Sequence, residues 1–311
     1  MKVYHHISEL NQIEEPLNLA LGVFDGVHLG HQAVIEQAIE TAEKQGGQAG
    51  VVTFNPHPIS VLKPEYAPKR LLASIEHKAE LLGELGVDFL LLVEFTKEFS
   101  QQEPELFISA LIQANGELNS LAMGEDWQFG KARRGNVKLL KTWGETHGFQ
   151  VHAVGPIKKD EERISSTRIR QALRDGNILA ANHMLGRSYE VWGEVEKGKQ
   201  LGRTIGFPTA NLNIFNEQLP PNGVYAVGVT LEEQCLYGVA NLGYRPTTDN
   251  DVEPIFEVHL FDFDREIYGA TLKVTFEKYL RAEKKFGSID ELTQQISADA
   301  DEARAYFLDE A

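Results

Sequence analysis

The period of the hydrophobic pattern changes once along the chain, and this change limits the fold more than any other feature. In the first half, short apolar runs alternate with amphipathic stretches such as 31–44 and 75–85, which is typical of βα units on a parallel sheet. Five strands are predicted there, at 19–24, 49–54, 89–95, 120–124 and 150–155. The first half is therefore predicted to be an α/β domain with a doubly wound sheet.

The second half has the period of two that is typical of antiparallel strands. Six apolar runs predict a six-stranded antiparallel β-barrel, at 188–197, 210–214, 223–231, 236–242, 255–263 and 269–280. A terminal helix follows, because "SIDE" at 288–291 fits a capping box. A chain of 311 residues is long enough for two cores, and we predict domains at 1–182 and 183–311.

Composition excludes several kinds of partner. The chain has 46 acidic and 30 basic residues, and a net charge of -16 repels a phosphate backbone, so we expect no nucleic acid partner. No leader pattern or membrane-spanning apolar run is present, which predicts a soluble cytoplasmic protein. The single cysteine, Cys235, excludes an internal disulfide and is expected to be a core thiol. The oligomeric state stays open.

A cluster of chemical groups follows the first predicted strand. Residues 22–31 read "GVFDGVHLGH", and ligands of open α/β sheets bind beyond the carboxyl ends of strands. The next helix offers unpaired N–H groups, Gly30 lets the backbone approach a ligand, and His28 and His31 add imidazole donors. Such groups suit the phosphates of a nucleotide. The alternative is an ordinary turn with two surface histidines.

A second motif, "RISSTRIR" at 163–170, follows the fifth strand. Its hydroxyls open a helix, where at least one of them could simply be a cap, and Arg168 could fork onto phosphate oxygens. H-x-G-H after the first strand and I-S-S-T-x-x-R after the last together resemble the nucleotidyltransferase superfamily. That resemblance implies a Rossmann-like fold and transfer of AMP or CMP by direct attack on the α-phosphorus.

Three further stretches narrow the resemblance: "FDGVHLGHQ" at 24–32, "TFNPHP" at 53–58 and "GEDWQFGKARRG" at 124–135. They are similar to the FAD synthetase module of bacterial bifunctional riboflavin kinase/FAD synthetases. The resemblance implies that His28, His31 and Arg168 are catalytic and that ATP is bound by Gly22, Phe24, Asp25, Gly30, Ser165, Ser166 and Thr167. It also implies that Asn55, His57 and Asp126 position the flavin or nucleotide. "NPHP" could instead be a rigid turn, and Trp127 could be core packing.

The barrel half contains its own dense stretch, "GKQLGRTIGFPTANL" at 198–212. One interpretation is only a tight loop between strands. In "PTAN", however, Thr209 and Asn211 alternate and should point to the same face. A hydroxyl and an amide oxygen suit Mg²⁺, which prefers oxygen ligands and shares phosphate oxygens.

Four motifs of the second half, in this order along the chain, resemble those of the riboflavin kinase family. They are "GFPTAN", "GVYAV", "GVANLGYRPT" and "FEVHLFDFDREIYG". The resemblance implies that Glu257 is the base that accepts the proton of the ribityl 5'-hydroxyl, although a strand glutamate is more often a solvated or paired side chain. It implies an ATP site at Gly198, Gly202, Arg203 and Gly206, and a flavin site reached by Arg281.

We therefore predict a bifunctional enzyme that phosphorylates riboflavin to FMN with ATP and then adenylylates FMN to FAD, releasing pyrophosphate. Mg²⁺ is the expected cofactor, and the small-molecule substrates are the expected partners. Two alternatives stay open. A nucleotidyltransferase with another acceptor leaves the barrel motifs unexplained, and a non-catalytic flavin-binding regulatory protein has no use for a base.

Overall fold

The computed structural model describes residues 1–115, 117–198, 202, 205–215, 217–246 and 252–309. The chain divides into two compact units, Met1–Ser166 and Thr167–Ala311. The predicted functional boundary at 182/183 lies further along the chain, within the helix Ile178–Leu185. The boundary itself stays a prediction, which excised domains can test.

A six-stranded sheet forms the centre of the first unit, and all its strands are parallel in the order β1-β4-β3-β2-β5-β8. These strands are β1 Lys2–Tyr4, β2 Leu17–Leu21, β3 Gln48–Asn55, β4 Phe89–Glu94, β5 Leu118–Gly124 and β8 Gln150–Val154. Two small antiparallel pairs consist of β6 Gln128–Phe129 with β7 Gly135–Asn136, and of β9 Lys158–Lys159 with β10 Glu162–Arg163.

Helices connect the parallel strands. They are α1 Leu29–Gln45, α2 Pro58–Leu62, α3 Ile75–Glu84, α4 Lys97–Ser100, α5 Pro104–Asn115 and α6 Val137–His147, with 3₁₀ turns at Ile7–Gln12, Pro64–Tyr66 and Lys131–Arg133. Helices α7 Ser166–Arg174 and α8 Ile178–Leu185 follow β10.

Both faces of the sheet are covered, which explains why its strands read as continuous apolar runs. Along β2, Leu19 and Leu21 belong to one hydrophobic cluster and Ala20 belongs to the other, because successive side chains point to opposite faces. The chain order reverses between β2 and β5. This is the topological switch point at which ligands of open α/β sheets bind.

The predicted doubly wound fold is confirmed, with two corrections. The sheet has a sixth strand, β1, which is only three residues long and too short to show a period. The first predicted strand, 19–24, is shifted: β2 ends at Leu21, and Phe24 has left the extended region with a φ of 50°.

The second unit contains a closed antiparallel barrel, as predicted, in the order β11-β12-β15-β14-β13-β16. Its strands are β11 Glu190–Glu196, β12 Ala210–Ile214, β13 Gly223–Leu231, β14 Gln234–Pro246, β15 Val252–Leu260 and β16 Thr271–Arg281. Phe256 and Val258 are buried, whereas Glu257 between them is only partly buried, so alternate residues of β15 face opposite sides of the barrel wall.

The terminal helix, α9 Ile289–Asp309, packs Ala300 and Ala303 against apolar side chains that include Val224 and Val239. Its predicted cap is partly formed: Ser288 Oγ accepts the N–H of Glu291 at 3.2 Å, but the Glu291 carboxylate accepts the N–H of Gly287 at 3.0 Å. Cys235 is exposed, so the expectation of a core thiol was wrong. The reason is its position beside the β13–β14 turn, opposite Thr230.

Candidate active sites of the two units

The loop after β2 is a tight turn made possible by its glycines. A Cβ atom on Gly22 would lie 2.9 Å from Cζ of Phe24, because the Phe24 ring folds back over the backbone. Gly26 has a φ of 80°, which a glycine adopts without strain. The Phe24 side chain is itself buried and contacts His31 edge to face, with ring centroids 5.4 Å apart. Phe24 thus supports the predicted nucleotide site from inside the fold.

His28 is the N-cap residue of α1, and its Nδ1 atom accepts the backbone N–H of His31 at 3.2 Å. In a neutral His28 ring this bond leaves the proton on Nε2, which makes Nε2 a hydrogen-bond donor. A Cβ on Gly30 would lie 3.2 Å from Cε1 of His28, so the glycine leaves room for the ring. A histidine cap, a helix N terminus and a close backbone are features that favour anion binding, so the predicted phosphate site stays a prediction with these groups in place.

The His31 ring stacks on His28 with centroids 3.6 Å apart. Burial is the main cause that holds the pKa of His31 well below its usual range, and His28, Lys78 and Arg163 lower it further. His31 is therefore neutral at pH 7. Its Nδ1 atom is buried and has no hydrogen-bond partner within the part of the chain that the structure describes. Such an unmet group costs stability and is typical of functional sites.

A hydrogen bond connects the two motifs that are predicted to bind the nucleotide. Ser166 Oγ donates to the backbone carbonyl of Asp25 at 3.0 Å, and the Asp25 carboxylate in turn accepts the N–H of Leu72 at 2.9 Å. Ser166 begins α7, so Thr167 and Arg168 follow it in the first turn of that helix. The structure therefore places the Ser166 hydroxyl beside the loop that carries H-x-G-H.

Two arginines of the second motif differ in burial. The last position of I-S-S-T-x-x-R is occupied by Arg170, which is buried, and burial lowers its pKa to about 10. Arg168, the predicted phosphate-binding residue, is only partly buried. Its predicted role as a catalytic residue stays a prediction.

The three residues predicted to position the flavin or nucleotide lie at or just beyond the carboxyl ends of β3 and β5. Asn55 ends β3 and is exposed, while His57 caps α2 with its Nδ1 atom 3.2 Å from the N–H of Ile59. Burial and then Lys78 lower the pKa of His57 to about 4. Asp126 follows β5 and forms a bidentate ion pair with Arg163, which lowers the pKa of the carboxyl.

Trp127 supports the core-packing alternative. Its ring stacks on Phe129 with centroids 4.5 Å and planes 16° apart, and it packs against the hydrophobic cluster that contains Leu19 and Leu21.

The sequence motifs did not identify Lys78, a buried lysine of α3 that lies at this site. Its Nζ atom donates to the Val23 carbonyl at 3.0 Å, and its charge affects both His31 and His57. A signal was present in the sequence, because Lys78 precedes Leu81 by three residues and Leu82 by four. A lysine therefore occupies the apolar stripe of the helix.

In the barrel, strand register brings the predicted kinase residues together. Asn211 of β12 pairs directly with Glu257 of β15, and Asn241 of β14 pairs with Glu257 from the other side. Directly paired residues point to one face and are close enough to interact. A carboxylate is thus flanked by two amides on the outer face of the barrel. Asn241 lies within the motif "GVANLGYRPT", but the sequence analysis gave it no role.

The predicted glycines lie against the predicted metal ligands. A Cβ on Gly198 would lie 2.3 Å from Nδ2 of Asn211, and a Cβ on Gly202 would lie 3.4 Å from Oγ1 of Thr209. Gly206 has a φ of 84° with open space around it. These contacts bring the glycine backbone close to Thr209 and Asn211, as a phosphate-binding loop requires. Arg203, also predicted for this site, lies outside the described residues.

His259, which lies within the motif "FEVHLFDFDREIYG" but was given no role in the sequence analysis, holds this loop against β15. Its Nδ1 atom is 2.8 Å from the carbonyl of Pro208, and its ring contacts Phe207 edge to face. His259 is two residues beyond Glu257 and therefore on the same strand face. Strand β15 thus carries both the Glu257 carboxylate and His259, which contacts the loop that ends at Thr209.

Arg281 is not brought to Glu257. The two residues are on β16 and β15, which are three strands apart in either direction around the barrel. The Arg281 guanidinium instead forms a bidentate pair with Asp299 of α9, at 2.8 Å from Nε to Oδ1 and 2.6 Å from NH2 to Oδ2. Its role at the flavin stays a prediction.

A parallel sheet with a histidine-capped helix at its switch point precedes a barrel with a strand-borne carboxylate, an arrangement that is expected of a two-domain enzyme acting on nucleotides. Family models agree: one described as FAD synthetase matches residues 10–168, and one described as riboflavin kinase matches residues 185–307.

Relatives match along nearly the whole chain. The bifunctional riboflavin kinase/FMN adenylyltransferase of Bacillus subtilis (strain 168) is 40% identical over 97% of this chain and 96% of its own length. The enzyme of the same description from Escherichia coli (strain K12) is 39% identical over 99% of this chain and 98% of its own. This chain belongs to the family of bifunctional riboflavin kinase/FMN adenylyltransferases, which confirms the predicted family and enzyme class.

A solved structure shares the fold. The crystal structure of a macrolide-efflux protein from Streptococcus pneumoniae matches with a TM-score of 0.83 at 33% identity, covering 96% of this chain and 97% of the other. Among the residues that the structure describes here, no helix has the length and apolar character needed to cross a membrane.

Proposed function

We propose that this chain makes FAD from riboflavin in two ATP-dependent steps at two separate sites. Residues 183–311 phosphorylate riboflavin to FMN, and residues 1–182 adenylylate FMN. The observation that carries the proposal is that the motifs of each activity contact one another within the fold. Ser166 donates to Asp25 in the loop before H-x-G-H, and Asn211 lies opposite Glu257 in the barrel.

In the adenylylation step, a phosphate oxygen of FMN attacks the α-phosphorus of ATP. The bond from that phosphorus to the bridging oxygen of the β-phosphate breaks, and pyrophosphate leaves. The N terminus of α1 and the Nε2–H of His28 bind and orient the phosphates. The neutral His31 ring stacks on His28 and supports it. Preformed donors of this kind stabilise the charge that develops at the phosphorus.

In the kinase step, the 5'-hydroxyl oxygen of riboflavin attacks the γ-phosphorus of ATP, and ADP leaves. Glu257 accepts the hydroxyl proton as the new P–O bond forms. The amides of Asn211 and Asn241 flank the carboxylate and orient it. The base is therefore held at a fixed place on a rigid strand.

The oxygen donors of Thr209 and Asn211 suit Mg²⁺, because both are hard, neutral ligands and the glycine backbone beside them leaves room for phosphates. Thr209 and Asn211 would hold Mg²⁺, which would neutralise phosphate charge during transfer. The proposal includes a cytoplasmic location, where ATP is available, and small molecules as the partners.

The direct test is to incubate the purified full chain with riboflavin, ATP and Mg²⁺ and to separate the flavins by chromatography. We expect FMN to appear first and FAD to follow. FMN without FAD would overturn the adenylyltransferase half of the proposal, and the absence of any product would favour a flavin-binding regulatory protein.

A further inference from the structure

The fold does not explain the buried charge of Lys78. The side chain projects from α3, and the residue is only 3% exposed. Within the described part of the chain, its Nζ atom has a single hydrogen bond, to the Val23 carbonyl, and no carboxylate pairs with it. Burying an unpaired ammonium group is costly, since it loses water without gaining a counter-charge.

The position of this ammonium group connects it to the adenylylation site. Val23 lies in the loop between β2 and His28, and its carbonyl accepts a second hydrogen bond, from Thr53 Oγ1 at 2.8 Å. Lys78 and Thr53 thus hold the first residues of the loop that presents H-x-G-H. The lysine charge also reaches His31 and His57, on two sides of the site.

The cation is maintained at neutral pH. Burial lowers the pKa of Lys78 to about 8, which leaves the amine mostly protonated at pH 7. The site must attract ATP and a flavin phosphate into a chain whose net charge is -16. Local positive charge is therefore needed, and Arg163, which also acts on His31, is already paired with Asp126.

We propose that Lys78 is the buried cation of the adenylylation site. Its ammonium group fixes the Val23 carbonyl and opposes the charge of the nucleotide phosphates from beneath the loop, most strongly as pyrophosphate leaves. It acts as a positioning residue, and the inference rests on the adenylyltransferase activity proposed above.

The test uses Lys78→Met in the full chain, because methionine fills a similar space without charge. We expect kcat for FAD formation from FMN to fall about 10- to 100-fold, as for the loss of a charge at several Å in a partly desolvated site. Riboflavin phosphorylation by the same molecules is the internal control and should not change. The exposed Lys44→Met, which loses only a surface pair with Glu40, is the matched variant and should leave both rates unchanged.

Two further measurements separate this role from a structural one. Removing the costly charge should slow hydrogen exchange of the β2 amides at Leu17–Leu21, so stability and activity should change in opposite directions. Imidazole NMR titration should show higher pKa values for His31 and His57, because one cause of their lowered values is gone.

Faster exchange together with a lower rate would show that Lys78 only supports the fold, and an unchanged adenylylation rate would also overturn the inference. Failure of the proposed function is distinguishable, because the unmodified chain would then form no FAD from FMN.

Discussion

At the scale of single residues, the proposed role of Glu257 as the base can be tested by one substitution. Glu257→Gln keeps the shape of the side chain but cannot accept the 5'-hydroxyl proton. We expect riboflavin phosphorylation to fall by about 10² to 10⁴-fold while riboflavin binding changes little. FAD formation from supplied FMN should continue. Near-normal phosphorylation would remove Glu257 from the mechanism, and a parallel loss of flavin affinity and thermal stability would make it a structural residue.

His57 gives a residue-scale prediction about pH. Its pKa in the folded protein is about 4, below the ordinary value of 6.5, so the unfolded chain binds more protons between these values. The free energy of unfolding should therefore fall as the pH falls from 6.5 to 4, with His57 contributing on the order of 2 kcal/mol after allowance for its partial exposure.

His57→Asn tests this effect, because asparagine still offers an acceptor to the N–H of Ile59 but does not titrate. Denaturant unfolding at several pH values should give a flatter dependence than in the unmodified chain. The exposed His147→Asn is the matched control. An equally steep dependence in His57→Asn would show that other groups account for the acid lability.

At the scale of elements, the position of Asn211 in the proposed kinase site depends on the absence of a side chain at Gly198. A Cβ there would lie 2.3 Å from Nδ2 of Asn211, so Gly198→Ala must displace the amide from its place beside Glu257. We expect phosphorylation to fall about 10-fold or more, because a displacement of about 1 Å is costly in a positioned site.

Gly228→Ala is the matched control for Gly198→Ala, since a Cβ on this strand residue meets its nearest atom, Oε1 of Glu277, at 3.5 Å. Steady-state phosphorylation rates of the two variants give the comparison. Equal activity of Gly198→Ala and the unmodified chain would mean that Asn211 is not needed in its observed place.

Elements also show which parts of the structure could be predicted from sequence. The long strands and α1 were predictable, because burial on one or both faces imposes a period that the residues display. The loop from Gly22 to His28 was not, since Phe24 and Val27 have positive φ values that residue type does not favour. The motifs named the residues that are predicted to bind ligands, but gave no role to Lys78 and His259, which contact the loops at the carbonyls of Val23 and Pro208. Their roles depend on contacts between distant segments.

At the scale of the whole molecule, the two activities should divide with the chain. A fragment of residues 167–311 corresponds to the second compact unit and should phosphorylate riboflavin. A fragment of residues 183–311 should also do so but melt at a lower temperature, because it lacks the buried Ala181 of α8. Thermal melts and FMN assays of both fragments check this. If both fold cooperatively but make no FMN, the assignment of kinase activity to the barrel fails.

The central claim is that one chain carries two complete and separate sites, and mixing two variants tests it most directly. Glu257→Gln should retain adenylylation, and the double variant His28→Ala/His31→Ala should retain phosphorylation but lose about 10²-fold or more of its adenylylation rate. Supplied with riboflavin, ATP and Mg²⁺, each variant alone should form little FAD. The mixture should form FAD readily, because FMN released by one molecule is adenylylated by the other. A mixture that forms no more FAD than either variant alone, although each retains its single activity, would contradict the account.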